Sequence, residues 1–116
     1  MHEFSIAVNI VEIAEATALQ HKATRVSEVE LDIGDASGIQ IEALEFAWES
    51  AAASSVLLKK SSLKINPVPL MLRCNHCQHH FSPVDLFESC PSCGDNRTTI
   101  LQGRELSVKS IMLAGP

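Results

Sequence analysis

Between residues 4 and 21 apolar side chains recur at helical spacing: Phe4, Ala7, Val8, Val11 and Ala14 share one side, with Ile6, Ile10 and Ile13 beside them, leaving Ser5, Asn9, Glu12 and Glu15 for water. The period predicts a helix with a broad apolar stripe. From 26 to 33 the period drops to two, with Val29, Leu31 and Ile33 opposite Glu28, Glu30 and Asp32, which predicts a strand with one wet face. Gly34-Asp35-Ala36-Ser37-Gly38 turns the chain, and Ser37 with Gln40 three residues later predicts a capping box. A second helix follows, placing Ile41, Leu44, Trp48 and Ala51 opposite Glu42, Glu45 and Glu49 and decaying at Ser54-Ser55. Residues 62–68 alternate again, Leu63 and Ile65 against Lys64 and Asn66, and Pro67 and Pro69 are expected to disrupt the pairing. Near the end, Leu106 and Val108 alternate with Glu105, Ser107 and Lys109 in a last strand expected to return to the first sheet.

This order predicts an α+β fold: a small two-helix, three-stranded α/β domain, residues 1–69 plus 101–116, with an inserted four-cysteine, zinc-ribbon-like domain at 70–100. A chain of 116 residues accommodates two such small units. Its 46% hydrophobic and 20% charged residues require a packed core, and with four Phe, one Trp and no Tyr that core must be aliphatic and alanine-rich. Trp48 is therefore read as core rather than as a binding platform, and His21 as a charge at the end of the first helix rather than a catalytic base.

The net charge of −5 is uneven, because residues 1–69 hold ten Asp and Glu against five Lys and Arg while the rest balances four against four. That field disfavours nucleic acid and anionic membrane surfaces and accommodates cations or a basic protein partner. The opening residues lack the basic and apolar segments of a secretory leader, and no apolar run is long enough to span a bilayer, so the chain reads as cytoplasmic without membrane insertion. It shows neither a phosphate loop nor a nucleophile paired with a base, and is read as a non-enzyme.

Cys74-Asn75-His76-Cys77 and Cys90-Pro91-Ser92-Cys93 are C-x2-C pairs twelve residues apart. Two such turns present four thiolates as a tetrahedron suited to Zn(II), with Gly94 expected at a positive φ after the second. Four sulfurs leave no open coordination position, so the role is structural rather than catalytic. Iron suits the same sulfurs, as in a rubredoxin-like electron carrier, and two disulfides are disfavoured in a reducing compartment. His76, His79 and His80 beside the first pair are read as solvated loop side chains, metal exchange being the alternative.

Met1-His2-Glu3 places an amine, the His2 imidazole and successive backbone nitrogens in sequence, a donor set that favours tetragonal Ni(II) or Cu(II). From spacing alone a His at this place is usually only an exposed side chain and not a ligand. Taken together, however, Met1-His2-Glu3, the stretch Gly34 to Glu49 with Ser37-Gly38 and Glu42 to Ala47, the two cysteine pairs, Gly103-Arg104-Glu105-Leu106 and Lys109-Ser110-Ile111 resemble the HypA/HybF hydrogenase nickel-incorporation family, in order over essentially the whole chain. The departures are Ile41 where a proline is common, Ser54-Ser55 in place of Gly-Thr, and the lack of a histidine soon after Cys93. The resemblance implies a nickel metallochaperone delivering Ni(II) to the [NiFe]-hydrogenase large subunit. In that reading His2 is the principal nickel ligand, Met1 and Glu3 contribute, and Cys74, Cys77, Cys90 and Cys93 hold Zn(II). It further implies a HypB-type GTPase as partner, with urease accessory proteins a second set that some members serve. Monomer and homodimer both stay open.

Overall fold

A computed structural model of the chain describes residues 2–115. Chain contacts divide it into two compact units, Met1–Asp32 with Ile39–Asn66 and Ser107–Pro116, and Ile33–Gly38 with Pro67–Leu106. The elements in order are α1 (Glu3–Gln20), β1 (Arg25–Gly34), α2 (Ile41–Ala53), β2 (Ser62–Val68), β3 (Met71–Cys74), β4 (His80–Phe81), β5 (Thr98–Gln102) and β6 (Leu106–Ala114). They form two three-stranded sheets, β2-β1-β6 and β4-β3-β5. The last strand thus joins the first sheet, as the sequence predicts.

In the first unit α1 packs against α2, and alanine makes up much of what the two helices bury, beside Ile10 and Val11 of α1. Ala7, Ala14 and Ala18 are fully buried on α1, facing a core that includes Leu44, Trp48, Ala51 and Ala52 of α2. Alanine at these positions lets two helix backbones approach closely, which is how a core with one Trp is closed. The apolar stripe of α1 is wider than its buried face: Phe4 and Ile13 are 55% and 51% exposed. On β1 the alternation holds, with Val29, Leu31 and Ile33 buried. On its other face Glu30 ties the sheet together laterally, accepting hydrogen bonds from Asn66 Nδ2 of β2 (2.7 Å) and Ser110 Oγ of β6 (3.0 Å). Asn66 also donates to Asp32 at 3.1 Å.

Two local expectations need correction. The N-cap of α2 is Gln40, with no side-chain cap, so the Ser37–Gln40 capping box does not form where expected. Instead the Gln40 N–H is held by the Glu3 carboxylate at 3.2 Å, so a tertiary partner secures the start of the helix. Nor does Pro67 interrupt pairing: β2 runs through it to Val68, because β2 is an edge strand and an outward-facing position needs no N–H.

In the second unit β3 pairs antiparallel with β4 (Leu72 with Phe81) and with β5 (Leu72 with Ile100). Leu70, Leu72, Phe81, Cys74 and Cys90 form its buried cluster. Residues 34–36 are laced into this unit, Gly34 N–H donating to Glu105 O at 2.8 Å and Ala36 N–H to Gly103 O at 2.7 Å. A side chain on Gly34 would overlap the Gly103 carbonyl, and Gly103 sits at φ +116°, so both positions require glycine. Among the described residues no helix is long and apolar enough to cross a membrane.

Ser55 is a buried polar side chain that donates to Glu15 Oε2 at 2.6 Å and accepts the Leu58 N–H at 3.3 Å. Ser55→Ala leaves both partners unsatisfied and is expected to lower stability by about 1–3 kcal/mol in a denaturant titration followed by Trp48 fluorescence. Glu30 gives a pH signature. The Asn66 donor, then Ser110, with Lys64 and Lys109 nearby, hold its carboxyl below its ordinary value of 4.5. Its folded pKa is the depressed one, so its contribution is present above pH 4.5 and is lost as pH falls through the lower folded value. Glu30→Gln should flatten the acid limb of the stability curve relative to the parent chain, read as denaturation midpoint against pH.

Candidate metal centre

The two cysteine turns are built alike. In the first, Cys74 N–H donates to His79 O (2.8 Å) and Gln78 N–H to Cys74 O (2.9 Å); in the second, Cys90 N–H donates to Asp95 O (2.8 Å) and Gly94 N–H to Cys90 O (2.8 Å). Each turn therefore places its fifth residue at positive φ, Gln78 at 66° and Gly94 at 80°. Glycine was the expected residue at the second turn. The first carries glutamine there, at the strain any side chain meets in the left-handed region, and nothing in the residue type signals it. The Asn75 N–H donates to Arg97 O at 3.0 Å, and Asn75 Oδ1 accepts from Thr99 Oγ1 at 2.7 Å, so the first turn is pinned to β5 and the segment before it. Arg97 reaches back to Asp95 in a two-pronged ion pair, 3.1 Å and 2.8 Å, which holds the Asp95 carboxyl well below the usual carboxylate range.

These turns bring all four cysteines together, their Sγ atoms lying within 4.8 Å of one another. Cys74 and Cys93 sulfurs are 3.5 Å apart and Cys77 and Cys90 sulfurs 3.6 Å apart. None is bridged, and these separations far exceed the roughly 2.05 Å of a disulfide. They match a tetrahedron of sulfurs about 2.3 Å from one central ion, whose edges are about 3.8 Å. Cys74 and Cys90 are buried and Cys77 and Cys93 exposed, so the cluster is half shielded from water.

The protonation chemistry points the same way. The Cys77 N–H, then burial acting oppositely, then the His76 N–H bring the Cys74 thiol down to about 6. At Cys93 the Asp95 N–H also lowers the pKa, but burial and the sulfurs of Cys74, Cys77 and Cys90 outweigh it and raise the thiol to about 12. One thiolate forms readily and its charge opposes the others, since like charges this close cannot all be carried without a cation. The donor set and spacing fit a tetrahedral divalent ion.

His76, His79 and His80 are exposed, but His80 lies on β4 opposite Arg73 and not in a loop as expected, and His79 stacks against Phe81 with ring centroids 6.2 Å apart. Trp48 is buried at 4% exposure, and His21 occupies the C-cap of α1.

The other candidate donors open α1. Met1 lies outside the described residues. His2 is the N-cap residue: its C=O accepts the Ile6 N–H at 3.2 Å, while its imidazole is exposed and makes no capping hydrogen bond. Glu3, the first helical residue, has its carboxyl lowered by the Gln40 N–H and then by its own N–H. The Glu3 to Gln40 contact joins positions thirty-seven apart and had no signal in the local pattern.

The family model described as HypA, hydrogenase/urease nickel incorporation, metallochaperone, matches residues 1–113. The hydrogenase maturation factor HypA of Parabacteroides distasonis is 42% identical over 113 residues, covering 97% of each chain. That of Francisella philomiragia is 35% identical over 112 residues, covering 97% of this chain and 98% of the relative. The solution structure of the Ni metallochaperone HypA from Helicobacter pylori superimposes with a TM-score of 0.70 at 26% identity over the full length of both chains. A further solution structure of HypA protein gives 0.73 at 27% identity, covering 97% and 96%. With the family model matching residues 1–113 and these relatives matched over nearly their whole length, this protein belongs to the HypA family of hydrogenase/urease nickel-incorporation metallochaperones.

Proposed function

We propose that the chain carries Ni(II) as cargo for [NiFe]-hydrogenase maturation. His2 is the principal nickel ligand, Met1 and Glu3 contribute, and Zn(II) is held by Cys74, Cys77, Cys90 and Cys93. In this reading residues 1–69 with 101–116 form the nickel-binding domain and 70–100 the zinc-binding domain. The observation that carries the reading is a family match spanning residues 1–113 on a chain whose His2 imidazole is exposed and has no capping bond. No reaction is assigned to the chain, since its task is transfer. The expected partners are a HypB-type GTPase and the hydrogenase large subunit in the cytoplasm. The family description names urease as well as hydrogenase, so urease accessory proteins belong to the same reading.

The start of α1 suits a transfer site for a physical reason. The first N–H groups of a helix have no intrahelical acceptor, so the backbone nitrogens at this end can bind a metal without dismantling the hydrogen-bond ladder. The Glu3 carboxylate is held by the Gln40 N–H and by its own N–H, so either Glu3 donor reaches a metal only by giving up one of these contacts. Deprotonated amide nitrogens with an imidazole form the in-plane set that Ni(II) prefers. An exposed imidazole can also be surrendered to an incoming acceptor without disturbing the core.

The zinc role follows from the size of the second unit's core. Leu70, Leu72 and Phe81 with two cysteines are too few to hold some forty residues, so the ion substitutes for missing apolar burial. Zinc supplies a cross-link. The residues supply thiolates, N–H donors that stabilise them, and turns that fix their separation.

Two outcomes test the reading. His2→Ala should weaken Ni(II) binding at least about tenfold by calorimetry while zinc content and circular dichroism stay unchanged; unaltered nickel affinity would remove His2 from the site. Stripping the cysteine-bound metal with a chelator should collapse the amide NMR dispersion of β3, β4 and β5 while the Ala7 and Leu44 resonances persist. A metal-free chain that keeps the β4-β3-β5 sheet would show that the ion is not structural.

A further inference from the structure

The segment between β4 and the second cysteine turn does something the metal site does not require. Val84 and Phe87 are 92% and 90% exposed, while Leu86 between them packs against the buried cluster of the same unit. The segment is braced by its own carboxylates: Asp85 Oδ1 accepts the Phe87 N–H at 2.8 Å and Glu88 Oε1 accepts the Val84 N–H at 3.2 Å. Two large apolar side chains are thus held outward on an organised loop, where they add nothing to the core.

Beside them lies a cavity of about 350 Å³. It is lined by Ala36, Gly38, Leu70, Pro83 and Leu86 together with Val84 and Phe87. The charged side chains lining it are Asp35 and Asp85, and no Lys, Arg or His of the described residues joins them. An apolar hollow of this size takes a bulky side chain with its neighbouring backbone, and two carboxylates at its edge select a cation next to that side chain.

We propose that this hollow on the cysteine-bearing unit docks a segment of a partner protein in which a bulky apolar residue stands beside Lys or Arg. Val84 and Phe87 close over the apolar side chain, and Asp35 and Asp85 face the cation. The Asp85 and Glu88 hydrogen bonds restrict the loop backbone, which lowers the entropic cost of docking. The site is separate from the residues assigned to nickel, so its failure would leave the metal reading untouched.

The test uses the full chain loaded with zinc and a phage-displayed library of random peptides as probe, followed by NMR titration with a selected peptide. Enriched peptides should pair Leu, Ile, Met, Phe or Trp with an adjacent Lys or Arg, and their amide shifts should fall on Ala36, Leu70 and residues 83–87. The double variant Val84→Ser, Phe87→Ser should weaken binding by about tenfold or more without loss of zinc, since both side chains are outside the core. Asp35→Asn with Asp85→Asn keeps the Oδ1 acceptor for the Phe87 N–H, removes both charges, and should weaken binding and flatten its salt dependence. A protein of net charge −5 attracts cations at many places, so location decides. Shifts centred on Glu42, Glu45 and Glu49 of α2, peptides lacking a basic residue, no recovered binder, or affinity indifferent to both double variants would overturn the proposal.

Discussion

Four sulfur atoms within 4.8 Å of one another cannot all be thiolates unless a cation sits among them, and the second unit of this chain is organised around that constraint. Its apolar cluster is small and includes two of the cysteines themselves, so the residues that would hold a metal also serve as core. Everything nearby acts on sulfur position. Two turns with the same hydrogen-bond pattern set the pairs, Asn75 and Thr99 anchor the first, and the Asp95–Arg97 pair braces the second. The Cys77 and His76 N–H donors depress the Cys74 thiol, whereas burial and the three neighbouring sulfurs raise that of Cys93, and a divalent ion among the sulfurs relieves that repulsion.

The first unit solves a different problem by different means. With one Trp and no Tyr it has little aromatic bulk to bury, and α1 fills its share of the core with Ala7, Ala14 and Ala18 beside Ile10 and Val11. Small side chains gain stability through close backbone approach and through the many short-range contacts that follow. The same economy leaves the start of α1 exposed, with backbone nitrogens that no helical acceptor claims and an imidazole free of capping duty. The Glu3 to Gln40 contact keeps that end of the helix in register with α2.

Two features stand apart from metal chemistry. Exposed Val84 and Phe87 beside an acidic, apolar hollow describe a surface that recognises chain rather than ion. A protein whose cargo must reach one destination needs such selectivity, because charge and coordination preference distinguish metals and not recipients.

Periodicity by itself gave α1, β1 and α2, because each buries one face and its sequence must alternate at the corresponding period, and it gave β2 and β6 from alternation alone, although those two strands are only partly shielded from water. Two C-x2-C pairs at fixed spacing likewise announced the sulfur cluster, since the ligand type and the turn are both local. Strands β3, β4 and β5 were not legible: they are two to five residues long, too short for a period, and their pairing is imposed by the turns. The positive φ at Gln78 was equally hidden, as no glycine marks it. What only the tertiary structure decided are the contacts between distant residues, among them Glu3 with Gln40, Ser55 with Glu15, and residues 34–36 with Gly103 and Glu105. Local pattern reports which face of an element must be dry; it carries no information about which remote backbone group an exposed carboxylate or a buried hydroxyl will meet, because that partner exists only once the chain has folded.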